Sequence, residues 1–169
     1  MHNARLPAIA TALAVLALSF GAFAPAAAAD LANVANVANR LHGATAVPVL
    51  LPRTLPNGLL GGAGNRLRFD DASRTAYDVS IVAGRSCADP SCRLGFMRGM
   101  RAPDRPLVGR AVTLPGGGRA YYVLGSCNGA CAPSTLAWNE GRYRYVLGIR
   151  GASINALRFA AASVARYRP

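Results

Sequence analysis

Three times along this chain a short segment of alternating apolar and polar residues is followed, across a brief turn-forming stretch, by a second such segment. Connections this short permit only an antiparallel return. Tyr77, Val79 and Ile81 alternate with Asp78 and Ser80, and a loop bounded by Cys87 and Cys92 leads on to Arg93 through Met100. Val108 to Leu114 and Arg119 to Leu124 flank Pro115-Gly-Gly-Gly118, and Ser134 to Trp138 and Tyr143 to Leu147 flank Asn139-Glu-Gly-Arg142. Ser153 is then placed to cap a helix running to Tyr167, on which Ile154, Leu157, Ala161 and Val164 make one apolar stripe. A helix with that stripe covers a sheet face. The fold class expected is therefore α+β, a mostly antiparallel sheet of about five to seven strands with a C-terminal helix packed on one face.

Upstream, the repeat Leu31-Ala-Asn-Val-Ala-Asn-Val-Ala-Asn-Arg-Leu41 sets Leu31, Val34, Val37 and Leu41 on one helical stripe between Asp30 and Gly43. Residues 30–45 thus read as an N-terminal helix or, because asparagine is a poor helix former, a linker. Val47 to Pro56 is extended by necessity, since its prolines lack amide donors and push their predecessors out of the helical region; it reads as an edge strand or a polyproline-like arm. Asn57 to Asn65, with four glycines, is a loop without the Lys of a phosphate-binding P-loop. Residues 46–169 then make a single α+β domain.

Residues 1–29 have the order of a secretory signal: Arg5 and the amino terminus, the apolar run Ala8 to Phe23, and the small-residue site Ala27 and Ala29 before Asp30. The rival is an uncleaved anchor, because the run approaches the roughly 20 residues a spanning helix needs. Pro25 and the cleavage site argue against it. Cleavage near Ala29 leaves 169 − 29 = 140 residues, the size of one domain, periplasmic or secreted and with no stable membrane insertion. No Cys follows the run, so no lipid anchor is expected.

All the basic residues are arginine, and the net charge of +12 falls only to +11 when Arg5 leaves. Such a field attracts anionic partners without specifying them. An anionic envelope polymer or another exported protein is the partner class expected; the plain alternative is solvated surface charge. The arginines are spread from Arg40 to Arg168 without a compact run, so specific nucleic-acid binding is not expected.

Cys87 and Cys92 lie close in sequence, as do Cys127 and Cys131, and exported chains meet an oxidising compartment. Of the three pairings that four cysteines allow, the two local ones are preferred, because each brackets turn-forming residues. A four-thiolate zinc site is the rival, but neither spacing is the usual C-x-x-C, and no metal or cofactor is expected.

Ser126 to Trp138 with Gly141, Tyr143 and Tyr145, followed by a helix ending Ala160-Ala-Ala-Ser163, resembles an uncharacterised family of exported bacterial proteins. That family has two short Cys pairs and a Trp-x-x-Gly-x-x-Tyr hairpin followed by a C-terminal Ala-x-Ser helix. Val47 to Pro56 and Cys87 to Gly95 resemble its proline-punctuated first strand and its first Cys pair. The resemblance covers most of residues 46–165, and its motifs are structural, so it implies a fold rather than an activity.

Cleavage also removes His2, leaving His42 as the one histidine, near the end of the first helix and badly placed for a nucleophile–base pair. The carboxylates are Asp30, Asp70, Asp71, Asp78, Asp89, Asp104 and Glu140. A glycosidase needs two of them facing each other. The reading is an exported non-enzymatic domain, a binding or envelope-structural module. Its candidate binding residues are Arg119, Tyr121, Tyr122, Arg142 and Arg144, because arginine and tyrosine favour interfaces. The alternatives are an inhibitor or regulator of another exported protein, acting through the bridged turn Ala88 to Ser91, and an envelope hydrolase, for which Asp70 would have to meet Asp78 or Glu140.

Overall fold

The computed structural model describes residues 28–56, 64–84, 89–128 and 130–167. Most of the expected leader, most of the glycine loop, Cys87 and the last two residues lie outside them.

The elements are β1 (Ala28–Asp30), α1 (Val34–Ala44), β2 (Val49–Pro52), β3 (Thr54–Pro56), β4 (Arg66–Ser73), β5 (Ala76–Val82) and a 3-10 turn (Pro90–Cys92). There follow β6 (Arg93–Arg101), β7 (Arg110–Thr113), β8 (Arg119–Val123), β9 (Cys127–Asn128), β10 (Ala130–Cys131), β11 (Ser134–Glu140), β12 (Tyr143–Ile149), α2 (Ile154–Ala162) and β13 (Val164–Tyr167). Seven strands form one antiparallel sheet in the order β4-β5-β6-β12-β11-β8-β7. The three expected hairpins are β5–β6, β7–β8 and β11–β12. The fold is α+β.

Alternation along the strands sends one set of side chains to a buried face. Leu67, Tyr77, Val79, Ile81, Met97 and Leu147 lie there, and Leu41 from α1 and Leu157 from α2 cover them in one continuous core. The stripe read along the first helix is buried as a unit: Leu31, Val34, Val37 and Leu41 all belong to the core. Asn33, just before α1, has a left-handed backbone with φ 57°. Its amide does not cap the helix but works as a surrogate peptide group, donating to Leu67 O at 2.9 Å and accepting from Leu67 N–H at 3.1 Å on the edge strand β4.

The last helix is shorter than its stripe suggests. It ends at Ala162, and Val164 to Tyr167, expected to continue it, instead form β13 against β2. Ser163 makes the stop. Its hydroxyl accepts from Thr54 N–H at 3.1 Å and lies 2.8 Å from Ala160 O, and its carbonyl accepts from Arg53 N–H at 3.3 Å. The proline-punctuated stretch likewise breaks at Arg53 into β2 and β3, which pair with β13 and β1 in two ribbons rather than joining an edge of the large sheet. The expected cleavage junction, Ala29–Asp30, lies inside β1, where Asp30 pairs with Thr54.

Two phenols tie this layer to the sheet. Tyr77 donates to Leu50 O at 2.7 Å and accepts from Leu50 N–H at 3.1 Å, while Tyr145 donates to Pro48 O at 3.0 Å. Burial pushes the ionisation of both well above that of an ordinary tyrosine, so they remain neutral donors at any physiological pH. Among the described residues, no helix is long and apolar enough to cross a membrane.

Candidate binding cleft

The five residues singled out from the sequence do not converge. In the register of β8 with β11, Tyr122 lies opposite the buried Leu136, whereas Tyr121 lies opposite Ala137 on the outer face. Arg119 shares that outer face and stacks over Tyr121 at 5.5 Å. Arg142, in the tight turn between β11 and β12, lies over Tyr143 at 5.3 Å and donates to its hydroxyl at 3.1 Å. Arg144 is only 8% exposed. Its guanidinium donates to Asn139 Oδ1 at 3.1 Å and to Arg105 O at 2.7 Å, which makes it a clamp on the 102–109 connection rather than a ligand contact.

Three of the carboxylates are committed as well. Asp70 receives Arg68 Nε at 3.0 Å and Arg93 at 3.5 Å, and also the hydroxyl of Ser80; Asp78 pairs with Arg98 and lies 3.8 Å from Arg93. Phe96, on the same outer face, lies beneath the guanidiniums of Arg93 and Arg98, at 5.9 and 5.4 Å. Glu140 pairs with Arg166 at 2.9 Å. Glu140 is on β11, four strand positions from Asp70 on β4, or roughly 19 Å at the usual spacing, so these two do not face each other. Asp70 and Asp78 do come together, but around the same Arg93 nitrogen, at 3.5 and 3.8 Å, as ion-pair partners. Among the described residues, no group of three or more His, Cys, Asp or Glu side chains is arranged to hold a metal ion.

What the fold does assemble is a cleft of about 640 Å³ at the end of the sheet where α2 begins. Its walls are Tyr122 in β8 and Leu124 just after it, Ala132 and Ser134 leading into β11, and Ala152 and Ile154 at the start of α2. Arg110 from the edge strand β7 and Arg150 just beyond β12 are the charged residues in its lining, and no carboxylate lines it among the described residues. Neither arginine has an ion-pair partner among the described residues. Arg150 is oriented through its donation to Ser91 O at 3.4 Å.

Two backbone features shape the floor. Gly125 lies so near the returning chain that a Cβ there would stand 2.3 Å from Ala132 O and 2.6 Å from Ser134 N; its own N–H donates to Ser134 Oγ at 3.1 Å. Beside it Cys131 also lines the cleft. The pairing of β9 with β10 places Cys131 opposite Cys127. In the neighbouring turn the amide of Ser91 donates to Asp89 at 2.6 Å, and this bond, seconded by the Ser91 side chain, holds that carboxyl below the usual range.

None of the cleft's walls follows from a sequence motif. They come from four separated stretches, with Arg110 opening β7 and Arg150 directly following β12. No family model, curated protein or solved structure matches the chain.

Proposed function

We propose that this chain is an exported, non-enzymatic module that binds an anionic envelope component through the Arg110–Arg150 cleft. The observation that carries the reading is two guanidiniums without carboxylate partners among the described residues, on a largely apolar cleft, while Asp70, Asp78 and Glu140 are paired elsewhere. Ligand sites take this form: mostly apolar walls with a few placed charges. The test is binding of the processed protein to an anionic envelope polymer as salt is raised. Affinity should fall steeply with ionic strength, and R110Q with R150Q should lower it at least tenfold at low salt. Binding that ignores both salt and the double substitution would sink the reading.

A second reading, docking to another exported protein, is favoured by one feature. Val108, Val123 and Leu124 are exposed large apolar residues at the β7–β8 end of the sheet, 75%, 44% and 72% exposed respectively. That reading predicts tight binding to a single protein with little salt dependence.

Export and local disulfides belong to the same proposal. Cleavage after arginine releases one peptide, 86–93, holding Cys87 and Cys92, and another, 120–142, holding Cys127 and Cys131. Local bridges therefore predict that, without reductant, each peptide runs alone and two hydrogens lighter than its reduced form. A peptide pair joined to each other would show the crossed pairing instead.

A further inference from the structure

Resting on that cleft, we infer that its ligand is a single-chain amphiphile with a carboxylate head: the acyl chain lies along the apolar wall and the carboxylate lies between Arg110 and Arg150. The cleft presents two unlike surfaces. Tyr122, Leu124, Ala152 and Ile154 offer carbon, and the two guanidiniums are the only full charges in the lining among the described residues. A polymer of repeating charges would set most of its length against that wall or leave it empty. A long-chain carboxylate satisfies both surfaces at once.

The volume supports one chain. About 640 Å³ is within the range of sites that enclose a single small-molecule ligand. The head is assigned from guanidinium chemistry, since its planar fork matches the two oxygens of a carboxylate and is weakly hydrated, so it tolerates an apolar neighbour. Arg150 is already held in place through Ser91 O, whereas Arg110 is exposed on an edge strand. The Arg150 contact is thus the preorganised half of the clamp, and Arg110 closes on the ligand.

The experiment is calorimetric titration of the processed protein with octanoate, decanoate and dodecanoate, each below its micelle concentration, with dodecanol and dodecyl phosphate alongside. Burial of each methylene is expected to tighten binding about fourfold until the cleft is filled. Dodecanol should bind at least tenfold more weakly than dodecanoate. R110Q and R150Q should each weaken dodecanoate about tenfold and leave dodecanol unchanged, with near-ultraviolet circular dichroism confirming that both variants keep the native packing. I154D should weaken every chain-bearing ligand alike. Dodecanol binding as well as dodecanoate, an affinity independent of chain length, or arginine variants indistinguishable from the parent would each overturn the inference. Tighter binding of dodecyl phosphate would overturn the carboxylate assignment. If an anionic polymer binds in an Arg110- and Arg150-dependent way while no amphiphile binds, this inference fails and the proposed function stands; if neither binds, both fail.

Discussion

Gly99→Ala is expected to destabilise the protein by about 2–4 kcal/mol, combining an overpacking cost with the loss of a buried hydrogen bond. Gly99 lies opposite Tyr77 in the β5–β6 register, and a Cβ at 99 would stand 2.3 Å from Tyr77 Cε1 and 2.6 Å from its Cζ. An exposed ring would swing aside at little cost. This one is buried at 2% exposure, and its hydroxyl is held by both the N–H and the C=O of Leu50. The added methyl must therefore either open the β5–β6 pairing or pull the phenol from Leu50 and leave two buried backbone groups unsatisfied.

The measurement is urea unfolding followed by Trp138 fluorescence in a double-mutant cycle with Tyr77→Leu, which shortens the side chain facing position 99. Tyr77→Leu alone should cost about 2–4 kcal/mol as a large-to-small core change that also strands Leu50. Gly99→Ala made in that background should cost less than 1 kcal/mol, giving a coupling above the additivity scatter of about 0.5 kcal/mol. Equal costs of Gly99→Ala in the two backgrounds would mean that the ring is not the obstacle.

Gly99 shows where the sequence is informative and where it stops. The hairpins are legible because their determinants are local: alternation on both sides of Pro115-Gly-Gly-Gly118, or of a turn whose Gly141 sits at φ 58°. The cap at Ser153 is equally local, its hydroxyl accepting from Ala156 N–H at 3.2 Å. Strand β4 escapes the pattern because it is an edge strand, with Leu67 the one fully buried side chain among Arg66, Arg68, Asp70 and Asp71. β13 escapes it because Val164 fits a helical stripe as well as a strand, and what decides is Ser163 meeting Thr54 from 109 positions away. Asn33 and Gly99 read locally as a weak helix former and a strand breaker; each is explained by one distant partner, Leu67 and Tyr77.

The site was less legible for the same reason, carried further. Parity correctly separates Tyr121 from Tyr122, but it does not say that Tyr122 opens onto a cleft whose other walls are residues 132–134 and 150–154. Nor does a strand pattern distinguish an arginine that is free from one that is used. Arg150 and Arg144 lie six positions apart on or just beyond the same strand; one lines the cleft and the other is buried under a loop.

Arg144→Met should accordingly cost about 1.5–3 kcal/mol, the range for removing hydrogen bonds donated by a charged group, because methionine keeps the apolar stem but loses the bonds to Arg105 O and Asn139 Oδ1. Arg144→Lys retains the charge, but a single ammonium does not span two acceptors held by a planar fork, so an intermediate loss is expected. The local effect is more diagnostic than the global one. Hydrogen exchange should speed up in residues 102–109, whose remaining tie at the start is Ala102 N–H to Arg142 O at 2.9 Å, while β5 and β12 amides change only with the global stability. That connection leads directly into β7 and so carries Arg110. A loosened connection makes Arg110 more costly to order on a bound anion. Arg144→Met should therefore weaken binding of an anionic ligand severalfold while leaving the contribution of Arg150, measured as the ratio on R150Q, unchanged. Unaltered exchange across 102–109 would show that Arg144 does not hold the connection, and unaltered affinity would show that Arg110 does not depend on it.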